Sequence, residues 1–194
     1  MTEEGRHQVL SETLRAIQPQ TPTEATDLAA TVRVTQTGDP WSRRSPLHVT
    51  GSAVVVHPPT ARVLLRWHRR QDAWLQVGGH ADPGEVDPFD VARREAAEET
   101  GLSDLKPWPG PDPKVVHLVV VPVPAAGEEP DHSHADLRYV LATDRPDDIS
   151  AESPDAPVQW LCLDEARELT AEANLQETLA RVGHLLSGRH VDSE

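Results

Sequence analysis

Apolar positions along the chain change period several times, and each change marks an element. Leu10, Leu14 and Ile17 repeat at helical spacing and predict a helix over residues 3–17. Thr21-Pro22-Thr23-Glu24 is a second helix start, a capping box with proline at the first position. Leu28 and Val32 give that helix an apolar side before Gly38-Asp39-Pro40 ends it. Two strands follow, His48–His57 and Arg62–His68, joined by Pro58-Pro59-Thr60-Ala61. Ser52 to Val56 is small or β-branched, which predicts burial on both faces. A short strand, Trp74-Leu75-Gln76-Val77, leads into the glycine-rich loop Gly78–Glu85. Asp87 suits a helix N-cap, Pro88 the first helical position, and Thr100-Gly101 the end. Beyond a proline-rich loop over Lys106–Pro111, strands are predicted at Val115–Val123, Leu137–Ala142 and Val158–Leu163. Asp164 is expected to cap a helix. Leu175, Leu179, Val182 and Leu186 mark a longer helix ended by Gly188, after which Arg189–Glu194 is expected to fray.

The helix after the glycine loop carries the chemistry. Glu95, Glu98 and Glu99 stand at i, i+3 and i+4, so their carboxylates share a face and repel unless a cation lies among them. Carboxylate oxygens are hard ligands suited to Mg²⁺. A solvated acidic helix face is the bland alternative, but no lysine interleaves these glutamates and a glycine loop immediately precedes them. Arg94 lies four residues before Glu98, within reach of a charge-assisted hydrogen bond. The net charge of −14 argues against long nucleic acids as partners, although local cations and metal still permit a small anionic substrate. A single cysteine, Cys162, and the absence of an N-terminal secretory pattern fit a cytoplasmic protein; Cys162 itself reads as a buried, inert thiol. No apolar run approaches membrane-spanning length, so no membrane partner is expected.

The stretch from Gly79 to Leu102 resembles the Nudix box, G-x5-E-x7-R-E-U-x-E-E-x-G-U with U bulky and apolar. Gly79, Glu85, Arg94, Glu95, Glu98, Glu99, Gly101 and Leu102 occupy its fixed positions, with Ala96 as a small U. Eight residues, instead of seven, separate Glu85 from Arg94; the extra one falls at Val86-Asp87, ahead of the helix. The resemblance extends to the preceding strands and the W-L-x-x-G-G-H run. It implies an α/β fold, a Nudix-like α/β/α sandwich around a mixed, curved β-sheet. It also implies a Mg²⁺-dependent hydrolase, with Mn²⁺ as a possible substitute, cleaving the pyrophosphate of a nucleoside diphosphate linked to another moiety. In that account Glu95, Glu98 and Glu99 bind metal, Arg94 orients Glu98, Glu85 supports the cluster and Gly79 lends its backbone to the substrate. The general base comes from the box or from a distal loop. Glu128, Glu129 and Glu152 are the loop candidates, with Glu152 placed first. A non-catalytic sensor of nucleotide metabolites is the alternative, though such members usually lose box glutamates.

Other residues keep two readings each. His80 follows the glycine pair and contacts either phosphate or loop backbone. Arg69 and Arg70 bind phosphate or are simply solvated in a turn. Arg138-Tyr139 offers a cation and a stacking ring to a substrate, or consists of edge residues. Trp67 and Trp74 stack on a nucleobase or belong to the core. In a strand His132, His134 and Asp136 would face one way, a pattern able to bind a transition metal and read here as a polar strand end near the mouth of the site. Residues 1–38 precede the first strand and are treated as an N-terminal helical extension to a domain over 39–194. They are expected to pack on that domain or across a homodimer interface.

Overall fold

The computed structural model describes residues 3–125, 127 and 130–188; the expected C-terminal fraying and the candidates Glu128 and Glu129 lie outside them. Helices α1 (Glu3–Ala16) and α2 (Pro22–Thr37) come first. Strands β1 (Leu47–His57), β2 (Arg62–His68), β3 (Ala73–Leu75) and β4 (Val77–His80) lead to helix α3 (Pro88–Thr100). The two-residue strand β5 (Lys106–Pro107), β6 (His117–Val123), β7 (His132–Ala142) and β8 (Val158–Cys162) follow, and α4 (Leu163–Leu169) and α5 (Ala173–Gly188) close the chain.

The sheet is mixed. Parallel pairing of β1 with β7 sets Leu47 opposite Ser133 and Val56 opposite Ala142, while every other pairing is antiparallel. Alternation along β1 sorts side chains between two cores. Val49, Ala53 and Val55 point to the side covered by α1 and α3, together with Leu10, Leu14, Ala92 and Ala96. Val54 and Val56 point to the side covered by α4 and α5, together with Leu175, Leu179 and Val182. An α/β/α sandwich results, with β1 buried on both faces as its residues predict.

α1 and α2 pack on their own chain, with Leu28 and Val32 also against the first core. Thr21 Oγ1 accepts from the Glu24 amide at 3.1 Å, but Glu24 reaches back to the Gln20 amide and not to Thr21, so the capping box is shifted by one residue. Three further expectations are corrected. β7 begins at His132, five residues before the apolar stretch, because parallel pairing with β1 extends it. Cys162, not Asp164, is the N-cap of α4 and is exposed, since it ends β8 on the strand's outward face. Tyr139 is buried and packs edge-on against Phe89, because β7 lies inside the sheet and not at its edge.

Candidate active site

Three local signals place the box helix. Asp87 Oδ1 accepts from the Phe89 amide at 2.9 Å, Pro88 opens the first turn, and Gly101 ends the helix in the left-handed region. The helix therefore starts after Val86, and the extra loop residue is absorbed before the cap without turning the glutamates relative to one another. Strand β4 delivers the glycine pair to this helix. Gly78, at φ +149°, donates its amide to Glu99 at 3.0 Å. At Gly79 an added Cβ would overlap the carboxylate of Glu95. That contact explains the second glycine.

Two arginines hold the acids. Arg94 grips both oxygens of Glu85 at 2.9 Å, and also bonds Glu95 at 3.0 Å, Glu98 at 2.9 Å and the His80 carbonyl at 2.9 Å. Arg66 pairs with Glu99 at 3.1 Å and with Glu152 at 3.0 Å, which brings a loop residue more than fifty positions away to the box. Arg94 thus holds the Glu85 carboxyl below its ordinary range. Burial raises Glu95, opposed by Arg94. Burial also pushes Glu99 up to about 7, against the pull of Arg66 and the Gly78 amide and with help from Glu95 and Glu152. The three helical glutamates share a face. They do not form a group whose ligand atoms all lie within 4.8 Å; among the described residues His48, His80 and His134 do. With arginines as their counter-ions, Glu98 is drawn outward while Glu99 is drawn under the glycines.

The pKa of Glu99 has a measurable consequence. Below pH 4.5, its ordinary value, the group is protonated in folded and unfolded chains alike and has no effect on stability. Between there and about 7 the folded state retains a proton that the unfolded state has lost, so stability falls as pH rises and the loss is complete above about 7. The full shift corresponds to roughly 3 kcal/mol. In chelator, Glu99→Gln is expected to gain on the wild type by that order between pH 5 and pH 8. Denaturant midpoints at the two pH values check it, and a gap unchanged by pH contradicts it.

On the other face of β4 lies a cleft of about 190 Å³, lined by Thr50, Gln76, His80, His134, Asp136 and Asn174 among others, with Gly78 and Gly79 in its wall. A larger hollow of about 520 Å³ runs along the outer flank of α3 past Val86 and Arg93, and Glu95, Glu98 and Glu99 do not line it. Arg138 borders the cleft, but Asp136, Thr178 and Asn174 each take one of its nitrogens at 2.8 Å. These three bonds make it a brace of the cleft wall. Arg69 is exposed and paired with Asp155, and it lines neither cavity. Trp67 and Trp74 meet edge to face. Burial and neighbouring imidazoles push His80 down to about 3 and His134 down to about 4.

Sequence reasoning missed Arg66, Gln76 and His48. In the sequence Arg66 is simply a position within the strand Arg62–His68, although a charged residue beside the apolar run Val63-Leu64-Leu65 is a signal in itself. His48, Thr50 and Ser52 alternate on one face of β1, which the apolar run beside them obscures.

A strand-borne glycine pair, an acidic helix and two clamping arginines make up the site. A NUDIX domain model matches residues 47–182, and the chain belongs to the NUDIX family. Similar solved structures include an Ap4A hydrolase from C. elegans in a binary complex (TM-score 0.56, 20% identity, 72% of this chain and 98% of that one). Others are the dihydroneopterin triphosphate pyrophosphohydrolase of E. coli (TM-score 0.52, 20% identity, 71% and 94%) and a NUDIX family hydrolase from Clostridium perfringens (TM-score 0.54, 22% identity, 73% and 97%). At these identities the likeness concerns the fold. No curated protein sequence matches the chain.

Proposed function

We propose that the protein hydrolyses the pyrophosphate of a small nucleoside diphosphate derivative with Mg²⁺, or Mn²⁺ in its place, held by Glu95, Glu98 and Glu99. The observation that carries this reading is the arginine-clamped acidic face against Gly78 and Gly79. The donor set fits a hard divalent ion. The oxygens are carboxylate, and burial with like charge raises both Glu95 and Glu99, as expected of anions short of a cation. When bound, such an ion neutralises pyrophosphate oxygens and acidifies water.

The chain's own groups do the rest. Arg94 positions Glu95 and Glu98 and fixes Glu85, a positioning role for both. Glu152, half exposed and tethered by Arg66, takes the proton of the attacking water. As the water oxygen bonds to phosphorus, the bond from phosphorus to the bridging oxygen breaks and that oxygen leaves with the departing phosphate. His80 and the Gly79 backbone border the substrate. Residues 1–38 act as a helical extension of the domain over 39–194. Cytoplasmic residence is supported by the single cysteine; no helix among the described residues is long and apolar enough to cross a membrane.

A panel of nucleotide derivatives, with Ap4A and dihydroneopterin triphosphate included, tests the reading by product release with and without Mg²⁺. On the best substrate, Glu152→Gln is expected to lower kcat by roughly 100-fold or more with KM little changed. A variant with the wild-type kcat would remove Glu152 from the role of base. No metal-dependent release from any member of the panel would sink the hydrolase reading.

A further inference from the structure

Four histidines gather on the sheet face opposite the box. His48 comes from β1, His80 from the end of β4, and His132 and His134 from the start of β7. The register sets His48 opposite His134 and His80 opposite Thr50, which puts all four side chains on one face of three adjacent strands. Their Nε2 atoms converge. His80 Nε2 is 3.1 Å from that of His48 and 3.2 Å from that of His134, and His132 Nε2 is 3.2 Å from that of His134. His48 is buried, His80 and His134 half-buried.

Proton counting shows what this arrangement lacks. His48 Nδ1 lies 3.0 Å from the Ser45 carbonyl and His132 Nδ1 lies 2.9 Å from the Pro130 carbonyl. A carbonyl oxygen only accepts, so both Nδ1 atoms carry the proton and both Nε2 atoms present a lone pair. If His80 and His134 both carry protons on Nε2, the contact between them sets two donors face to face. If only His80 does, the His132–His134 contact has two lone pairs and no proton. If only His134 does, the His48–His80 contact fails in the same way. With neither, all three contacts fail. No neutral tautomer set satisfies the cluster, and extra protons are disfavoured because burial and the neighbouring imidazoles and arginines oppose them.

A cation held by the lone pairs of His48, His80 and His134, whose ligand atoms all lie within 4.8 Å of one another, satisfies those three at once. Zinc–imidazole bonds of about 2.0–2.1 Å set tetrahedral ligand atoms roughly 3.3 Å apart, close to the spacings here. Imidazole selects Zn²⁺ and its borderline neighbours over Mg²⁺. The Nδ1–carbonyl bonds of His48 and His132 are the outer contacts that fix ring orientation at such sites. The geometry points to a transition-metal site, of the Zn²⁺ class, formed by His48, His80 and His134 with His132 at its rim. The fourth position opens on the cleft. This site is separate from the carboxylate site of the box: β4 divides them, with Gly79 turned to Glu95 on one side and His80 to the imidazoles on the other. It ties β4, β1 and β7 together, and its open position can take an oxygen of a molecule in the cleft.

The test uses the full chain, stripped with chelator and held in excess Mg²⁺. Titration with Zn²⁺ is expected to show one tight equivalent and a rise in melting temperature, and Co²⁺ should give the intense visible bands of a tetrahedral nitrogen site. His80→Gln and His134→Gln are each expected to weaken Zn²⁺ binding by on the order of 100-fold or more and to abolish the cobalt bands. Glu98→Gln should leave both unchanged, which separates this site from the hydrolase reading. Circular dichroism of the apo variants verifies that they fold, and His132→Ala serves as a milder variant with weakened binding. The proposal is overturned if wild type binds no Zn²⁺ beyond its buffer-exposed background. It is equally overturned if Zn²⁺ binding survives in the His80 and His134 variants, or if Glu98→Gln removes it.

Discussion

Glu98→Gln is expected to reduce metal-dependent turnover by on the order of 100-fold or more and to leave the fold intact. The two halves of this result have different origins. Glu98 is the most exposed of the three box glutamates, with about half its side-chain surface open, and it bonds to Arg94 at 2.9 Å. Arg94 keeps Glu85, Glu95 and the His80 carbonyl when Glu98 loses its charge, so no buried group is orphaned and stability should move by no more than about 0.5 kcal/mol. Activity depends on the charge itself, because glutamine keeps the shape and one oxygen but binds a hard dication far less well. Turnover against Mg²⁺ concentration, read beside the melting temperature, separates the two. A variant that keeps most of its turnover at saturating Mg²⁺ would remove Glu98 from the metal set.

What the sequence discloses about this site follows the range of the interactions. The box helix was legible because its cap, its first proline, its closing glycine and the spacing of Arg94 to Glu98 all act within one or two turns. Arg66 and Glu152 meet only because β2 pairs with β8 and the loop before β8 folds back across the box, which no local pattern announces. The histidines show both cases. Alternation of His132 and His134 was readable, whereas their junction with His48 depends on parallel pairing across 86 residues. The bracing by Arg138 was not legible, because two of its three acceptors lie on α5, some forty residues further along. Cys162 misled because the apolar residues of β8 do not reveal which face the strand turns to solvent at its last position.

The strand order also explains why glycine is needed twice in succession at the centre of the molecule. β4 is a thin wall between an acidic face and an imidazole face. Gly78 gives its amide to Glu99, and Gly79 gives space to Glu95. His80, the next residue, resumes side-chain alternation by turning to the far side, while its carbonyl accepts from Arg94 on the near side. One residue is therefore in contact with both charge systems.

The largest expected loss of stability is at Glu24, far from either site. α2 runs along β6, a strand paired on one side only among the described elements, and covers its other edge with carboxylates. Glu24 accepts from the Leu118 amide at 3.1 Å and Asp27 from the Val120 amide at 2.9 Å, standing in for a further strand. Glu24 is 3% exposed and also binds Arg181 of α5, at 3.0 and 2.9 Å. Glu24→Ala leaves a buried guanidinium and a buried strand amide without this acceptor, a change that typically costs 3–5 kcal/mol. Arg181 retains Glu177 and the Val116 carbonyl, which places the expected loss near the lower bound, about 3 kcal/mol. The effect is pH-dependent. Burial pushes the Glu24 carboxyl up, but Arg181 and the amides of Gln20 and Leu118 outweigh it, so the folded value lies below the ordinary 4.5. The stabilisation is therefore complete above 4.5 and is lost as pH falls through the lower folded value. Denaturant unfolding should show wild type and Glu24→Ala well separated at pH 7 and converging in acid. Equal stability at pH 7 would mean that the N-terminal helices are held by Leu10, Leu14, Leu28 and Val32 alone, and a separation that persists in acid would mean that the charge of Glu24 is not what stabilises them.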